Sequence, residues 1–552
     1  MSAGSAVGPP AHRTYAGIAA MIAVLWLAAL PLRPLFNPDE GRYAEIPREM
    51  LASHDWIVPH LNGLVYLEKP PLQYWATAAA LDLFGNNEFG ARLYTALCAL
   101  ATLAVVWLTA NRLWGGAEAW RAGAVLGGML LFVVLGQLLT LDMSLTFFMS
   151  LSLAGFLRAQ RAPWPGHAAA RPWMLLAWAA AALGVLTKGP VAAALPAAVL
   201  VSYTLAARDA SPWRRLHAGW GLPLFLALTV PWYWLVARRL PGFLEFFFVH
   251  EHVSRYLTPS ADREEAWWYF AAVFALGSLP WTLSALRVVA TGWRRRTPRG
   301  AFDAGLFLWI WIVFIIGFFS LSDSKLIPYI LPVMPALALC VGALPAGAFG
   351  RDVRTTSVLT LAAAAALAAA AVFGPHWIAP TERNRYFLML AQPLGCIAAL
   401  VAVAGLFGLL AGRRDSTRAA VILGAGWCLS GLLLMQAAGL AAPIYSGAVL
   451  ARAVTAIPPG EPIYSVGTYD QTLPFYWRRT VKLAAYRGEL DYGLKADPAA
   501  EIPSVAGFVA EWRGRPDGYA VMERSMFDEL TSGGVPMREV ARDARRVLVA
   551  RQ

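Results

Sequence analysis

Of the five lysines in the chain, Lys69, Lys188 and Lys325 fall in short polar gaps between long apolar runs. The same gaps carry carboxylates. Asp39 and Glu40 lie in Asn37-Pro38-Asp39-Glu40-Gly41-Arg42-Tyr43, Glu68 in Tyr66-Leu67-Glu68-Lys69-Pro70-Pro71, and Asp142 follows Thr140-Leu141. A fourth gap reads His250-Glu251-His252-Val253-Ser254-Arg255-Tyr256, and Tyr329 comes four positions after Lys325. Ammonium groups suit a phosphate, while a carboxylate serves as a base, orients an acceptor or stabilises a developing sugar cation. The combination points to a site that handles a phosphate-bearing substrate. Each residue also has an ordinary structural use. Asp39 caps a helix and pairs with Arg42, Asp142 caps another, and the lysines snorkel from helix ends. The two histidines and Glu68 leave a divalent metal ion open as a cofactor, although their spacing matches no recognised zinc motif.

The elements that must hold these residues are membrane helices. The chain is 552 residues long, 58% hydrophobic and only 14% charged, where soluble proteins are about one quarter charged. About 13 apolar runs of roughly 17–25 residues, from about 15–32 to about 419–440, read as transmembrane helices. Arginines sort onto alternate loops: Arg112 and Arg121; Arg158, Arg161 and Arg171; Arg208, Arg214 and Arg215; Arg294 to Arg296; Arg351 and Arg354; Arg413, Arg414 and Arg418. The positive-inside rule makes that face cytoplasmic, so the three lysines lie on the face that normally avoids positive charge. The net charge of +12 is thus explained by topology, and nucleic acid is not expected as a partner. Cys98, Cys340, Cys396 and Cys428 all fall in apolar runs and indicate neither disulfides nor a metal site.

Two domains are expected. Residues 1–440 form the membrane domain, including an outer loop, 33–90, with interfacial helices near Glu45–Ser53 and Leu72–Leu83. Residues 441–552 form a soluble α/β domain. Its strands are expected at Ile463–Val466, Val481–Ala484, Tyr519–Met522 and Arg546–Ala550, and its helices at Ser504–Trp512 and Ser525–Thr531. It carries no catalytic motif, and a lid or packing role is the plainer reading.

Taken together, the motifs resemble those of type C glycosyltransferases, membrane enzymes whose sugar donors are polyprenyl phosphates. The Asp39-Glu40 pair resembles that of the protein O-mannosyltransferase branch. The five motifs around Asp39, Glu68, Lys188 (Leu186-Thr187-Lys188-Gly189-Pro190), His250 and Lys325 (Ser324-Lys325-Leu326-Ile327-Pro328-Tyr329) are closer to the 4-amino-4-deoxy-L-arabinose (lipid A) transferase family. The resemblance implies a polytopic α-helical membrane fold of type C glycosyltransferase kind with a C-terminal soluble α/β domain. It implies undecaprenyl phosphate-aminoarabinose as donor and lipid A as acceptor, amid membrane lipids, at the periplasmic face of the bacterial inner membrane. Resistance to polymyxin and other cationic peptides is the physiological result it implies. Asp39, Glu68 and Asp142 become the catalytic candidates. Arg42, Tyr43, Tyr66, Lys69, Lys188, Arg255, Lys325 and Tyr329 become candidates for holding the donor phosphate, and Glu68 with His250 for holding a metal. A protein or glycan acceptor, and a lipid-linked sugar transporter, remain as alternatives.

Overall fold

A computed structural model describes residues 9–161, 167–254, 265–294, 301–379, 382–454, 457–458 and 460–552. Helices come first: α1 (Pro9–Ala28), α2 (Asp39–Ser53), α3 (Leu72–Phe84), α4 (Glu88–Leu113) and α5 (Gly116–Gly128). They continue with α6 (Leu130–Gly136), α7 (Leu141–Gln160), α8 (His167–Lys188) and α9 (Val191–Ala207). Among the described residues seven helices are long and apolar enough to cross a membrane, or eight if α5 and α6, bent by 65°, form one span. Four shorter apolar helices accompany them, α9, Thr282–Thr291, Ala304–Ser320 and Val333–Gly342. The fold is therefore polytopic and helical. The apolar runs near 122–138, 267–287 and 327–346 are broken rather than continuous, because apolarity alone does not register a backbone break. The breaks fall at Met129, at Ser278–Trp281 around Pro280, and at Pro332.

The chain divides into two compact units. The first holds residues 1–28, 95–373 and 392–435. In it α7 and α8 pack along their lengths. Gly155 permits the close approach: a Cβ there would lie 2.7 Å from the Trp173 carbonyl oxygen. Asp142 sits in the first turn of α7 and Lys188 in the last turn of α8, the positions where the helix dipole favours each charge. Gly189, at φ +105°, then turns the chain towards Pro190 and α9.

The second unit holds residues 29–94, 374–391 and 436–552. By packing, the loop 33–90 thus groups with the C-terminal domain. A hairpin of β1 (His60–Leu61) and β2 (Leu64–Val65) turns at Asn62 and Gly63, both at positive φ, as a two-residue hairpin turn favours. The main sheet contains β3 (Ile463–Val466), β4 (Lys482–Ala484), β5 (Glu501–Ile502), β6 (Tyr519–Glu523), β7 (Met537–Arg542) and β8 (Arg546–Arg551). Its order is β5-β4-β3-β6-β8-β7, with β3 to β6 mutually parallel and β8 and β7 antiparallel. Helices Val505–Arg513 and Arg524–Ser532 accompany the sheet, whose core includes Tyr464, Phe508, Trp512 and Met522. The four expected strands and both helices are present. The sequence reading missed β5, which is only two residues long, and β7, which reads Met-Arg-Glu-Val-Ala-Arg and lies at a sheet edge. Charge suits an edge strand but dilutes its apolar signal.

Helix α2 packs on helix Thr472–Trp477 of the same unit. Gly41 is the point of closest approach, since a Cβ there would fall 2.5 Å from the carbonyl carbon of Gln471. In an unconstrained helix, Gly→Ala is stabilising by about 1 kcal/mol. Here Gly41→Ala is expected to destabilise, by about 1–3 kcal/mol, through overpacking. A lowered thermal unfolding midpoint in detergent checks this, and a raised midpoint would contradict the packing.

Candidate active site

The candidate residues fall into two groups, one in each compact unit. In the second unit, the chain leaves a short 3₁₀ turn, Leu30–Leu32, passes the cis Asn37–Pro38 bond and enters α2 at Asp39. The neighbouring acids then take opposite environments. Glu40 is buried and clamped by two arginines. Arg33 donates to it at 2.6 and 3.0 Å, Arg92 at 2.8 and 3.0 Å, and the Phe36 N–H at 2.9 Å. Arg92 also donates to the carbonyl oxygens of Leu30, Arg33 and Pro34. Burial opposes ionisation of Glu40, but Arg33 and Arg92 outweigh it and hold the carboxyl well below the usual carboxylate range. This half of the Asp-Glu pair is structural.

Asp39 points the other way, with its side chain 52% exposed and Arg42 reaching it at 3.3 Å. Arg42 is itself largely buried. It forms a tight ion pair with Glu489, sits 5.7 Å from the Tyr43 ring centroid and 5.9 Å from that of Tyr66, and its Nε has no partner among the described residues. Burial works against its charge, but Tyr66, Glu489, Tyr43 and Glu68 together raise its pKa well above the ordinary arginine value. Arg42 is therefore a permanent cation. The hydroxyls of Tyr66 and Tyr74 are buried with no hydrogen-bond partner among the described residues, and the Tyr43 and Tyr74 rings lie 6.2 Å apart. Such orphaned hydroxyls are costly unless they face a ligand or water. Glu68 and Lys69 are half-buried, with the Lys69 ammonium donating to the Glu68 carbonyl at 2.9 Å.

In the first unit, Lys188 and Asp142 form a tight ion pair, and the Lys188 Nζ lies 5.2 Å from the Tyr329 ring centroid. The structure thus joins three residues that are far apart in sequence. Lys325 is buried, at 7% exposure, with no ion-pair partner among the described residues. Arg255 lies outside the described residues, and for His250 only the backbone, in helix Glu245–Ser254, is described. Among the described residues no group of three His, Cys, Asp or Glu side chains is placed to hold a metal.

Sequence reading missed Arg33, Arg92, Tyr74 and Glu489. Arg33 carried a signal, because it is a basic residue on the lysine-bearing side of the first apolar run. Glu489 carried none, being one acid among many in the soluble domain.

Residues 450–551 match the family described as aminoarabinose transferase C-terminal domain, and residues 11–247 match dolichyl-phosphate-mannose-protein mannosyltransferase. The crystal structure of ArnT from Cupriavidus metallidurans bound to undecaprenyl phosphate superposes with a TM-score of 0.89 at 35% identity, covering 97% of both chains. The chain belongs to the aminoarabinose transferase family. The apo structure of the same Cupriavidus protein gives 0.89 at 34% identity over 98% of both chains. Among curated relatives, undecaprenyl phosphate-alpha-4-amino-4-deoxy-L-arabinose arabinosyl transferase 2 of Sodalis glossinidius is 35% identical over 357 residues. That match spans 62% of this chain and 62% of the relative. The Pseudomonas aeruginosa PAO1 enzyme is 35% identical over 327 residues, 58% of this chain and 57% of its own length. As a family member, the chain has the type C glycosyltransferase fold that its motifs implied.

The two acids of α2 are separable by experiment. Removing the charge of Glu40 by Glu40→Gln leaves two buried guanidiniums short of a counter-ion and is expected to cost about 3–5 kcal/mol. Asp39→Asn, at an exposed site, is expected to change stability by less than about 0.5 kcal/mol. The native Glu40 carboxyl titrates below its unfolded value of about 4.3. Its contribution is therefore complete above that pH and is lost as pH falls through the lower native value. Acid unfolding of the wild type should begin below about pH 4 and that of Glu40→Gln should be less steep, as tryptophan fluorescence will report.

Proposed function

We propose that the protein transfers 4-amino-4-deoxy-L-arabinose from undecaprenyl phosphate to a phosphate of lipid A. The observation that carries this reading is the whole-chain likeness to the undecaprenyl phosphate-bound Cupriavidus structure, at 97% coverage of both chains. The reaction breaks the bond between the sugar's anomeric carbon and the donor phosphate oxygen. It forms a bond from that carbon to an oxygen of the acceptor phosphate, with inversion if displacement is direct. Negative charge grows on the departing polyprenyl phosphate and positive charge on the sugar ring. Arg42, Lys69, Lys188, Arg255 and Lys325 are assigned to the phosphate. The permanent charge of Arg42 and the burial of Lys325 support that role. Tyr43, Tyr66 and Tyr329 are assigned to donor binding, supported by the orphaned Tyr66 hydroxyl and the Lys188–Tyr329 contact.

Asp39 is the leading carboxylate, with Glu68 and Asp142 in support. Its exposure and its freedom from the Glu40 clamp favour it. A lipid A phosphate is already anionic near neutral pH, so Asp39 need not remove a proton. Orienting the acceptor, holding the donor's amino group or stabilising the sugar cation suits it better. The reaction is assigned to the periplasmic face of the inner membrane, because the lysine-bearing gaps lie opposite the arginine-bearing ones. Adding a cationic sugar lowers the negative charge of the outer surface, hence resistance to polymyxin and similar peptides.

Purified protein in lipid, supplied with the donor and lipid A, is expected to convert lipid A to its aminoarabinose adduct, seen by mass spectrometry. Asp39→Asn should lower the rate by about 10²-fold or more while unfolding like the wild type. Transfer to a protein or glycan in place of lipid A would refute the acceptor. Donor movement across vesicles without transfer would favour a transporter.

A further inference from the structure

Away from the candidate site, α4, α7 and α8 of the first unit line a half-open cavity of about 580 Å³. Its wall is apolar along most of its depth, through residues such as Leu108, Leu151 and Trp173, and three arginines, Arg112, Arg158 and Arg161, stand at one end. Among the described residues no acidic side chain lines it. The guanidinium of Arg158 lies 4.5 Å from the Trp173 ring centroid, and its Nε is shut off from solvent with no hydrogen-bond partner among the described residues. Arg161 donates to the Leu113 carbonyl at 2.6 Å, which pins it at the mouth.

An apolar hollow rimmed by cations that meet no acid among the described residues has one complementary class of ligand: an amphiphile with an anionic head. We propose that this cavity is a binding site for an anionic membrane glycerophospholipid. Its phosphate is held by Arg112, Arg158 and Arg161, and the upper parts of its acyl chains lie against Leu108, Leu151 and Trp173. The arginines supply charge-assisted hydrogen bonds, and anionic lipid is what basic residues at a membrane surface attract. The site lies at the ends of α7 and α8 remote from Asp142 and Lys188. Asp142 and Arg158 are 16 residues apart along α7, roughly 24 Å at 1.5 Å per residue. Occupancy braces the two helices whose other ends form the Asp142–Lys188 pair. The site is independent of the transfer chemistry.

The test uses the full-length protein in a neutral detergent, titrated with phosphatidylglycerol, with phosphatidylcholine of the same acyl chains, or with inorganic phosphate. Thermal unfolding and native mass spectrometry are read together. Phosphatidylglycerol is expected to raise the unfolding midpoint and remain bound in the gas phase, with phosphatidylcholine and phosphate giving little of either. Arg112→Gln/Arg158→Gln should weaken phosphatidylglycerol binding about tenfold or more. Ala154→Phe, which fills the cavity and keeps all three arginines, should do the same, so loss cannot be ascribed to misfolding of the arginine variant alone. Equal stabilisation by phosphatidylcholine, a shift produced by inorganic phosphate alone, or undiminished phosphatidylglycerol binding in both variants would overturn the proposal.

Discussion

The Glu40 carboxylate, held between Arg33 and Arg92, decides how α2 begins. A buried carboxylate survives only if its charge is met and its lone pairs are filled. Here two guanidiniums and the Phe36 N–H meet both demands. The cost of desolvating three charges is large, so the clamp fixes position better than it adds net stability. Arg92 ties it further to three carbonyls of residues 30 to 34, which brings the entry to α2 and the start of α4 together. With residue 40 locked inwards, the helix rotation of about 100° per residue carries Asp39 outwards and brings Arg42 round to the tyrosine cluster.

Around that fixed helix the second unit builds a second, softer layer. Gly41 lets the backbone of Gln471 come close, Asn62 exchanges two hydrogen bonds with Val481 at 2.7 and 2.8 Å, and Glu489 closes on Arg42. The soluble domain thus supplies a counter-ion to a candidate phosphate-binding arginine. Glu489 also accepts from Gln471 at 2.7 Å, which holds it in place.

How much of this was legible depended on how local each cause was. Strands β3, β4 and β6 were legible because parallel strands buried on both faces read as apolar runs. Both acids of α2 were visible, but their division of labour was not. It depends on Arg92, 52 residues away, and no pattern near Asp39 marks which acid turns inwards. The Asp142–Lys188–Tyr329 group was nominated member by member, yet its assembly rests on the packing of α7 with α8 and on a contact spanning more than a hundred residues. The breaks at Met129 and Pro332 were hidden for the opposite reason, since the apolar pattern runs straight through them.

Charge placement on α7 and α8 follows one physical rule at both ends. Asp142 at the amino end of α7 and Lys188 at the carboxyl end of α8 each sit where the backbone dipole favours them, so their ion pair is reinforced by two helices. Arg158 and Arg161, at the carboxyl end of α7, obey the same rule. Their guanidiniums carry the rest of their charge into a hollow with no acid on its wall among the described residues. The two ends therefore differ in closure. The Asp142–Lys188 end is internally neutral and needs a ligand only for chemistry. The arginine end is left cationic and draws an anion from its surroundings. A helix pair compensated at one end and open at the other can respond to the membrane without altering the charge balance around Lys188.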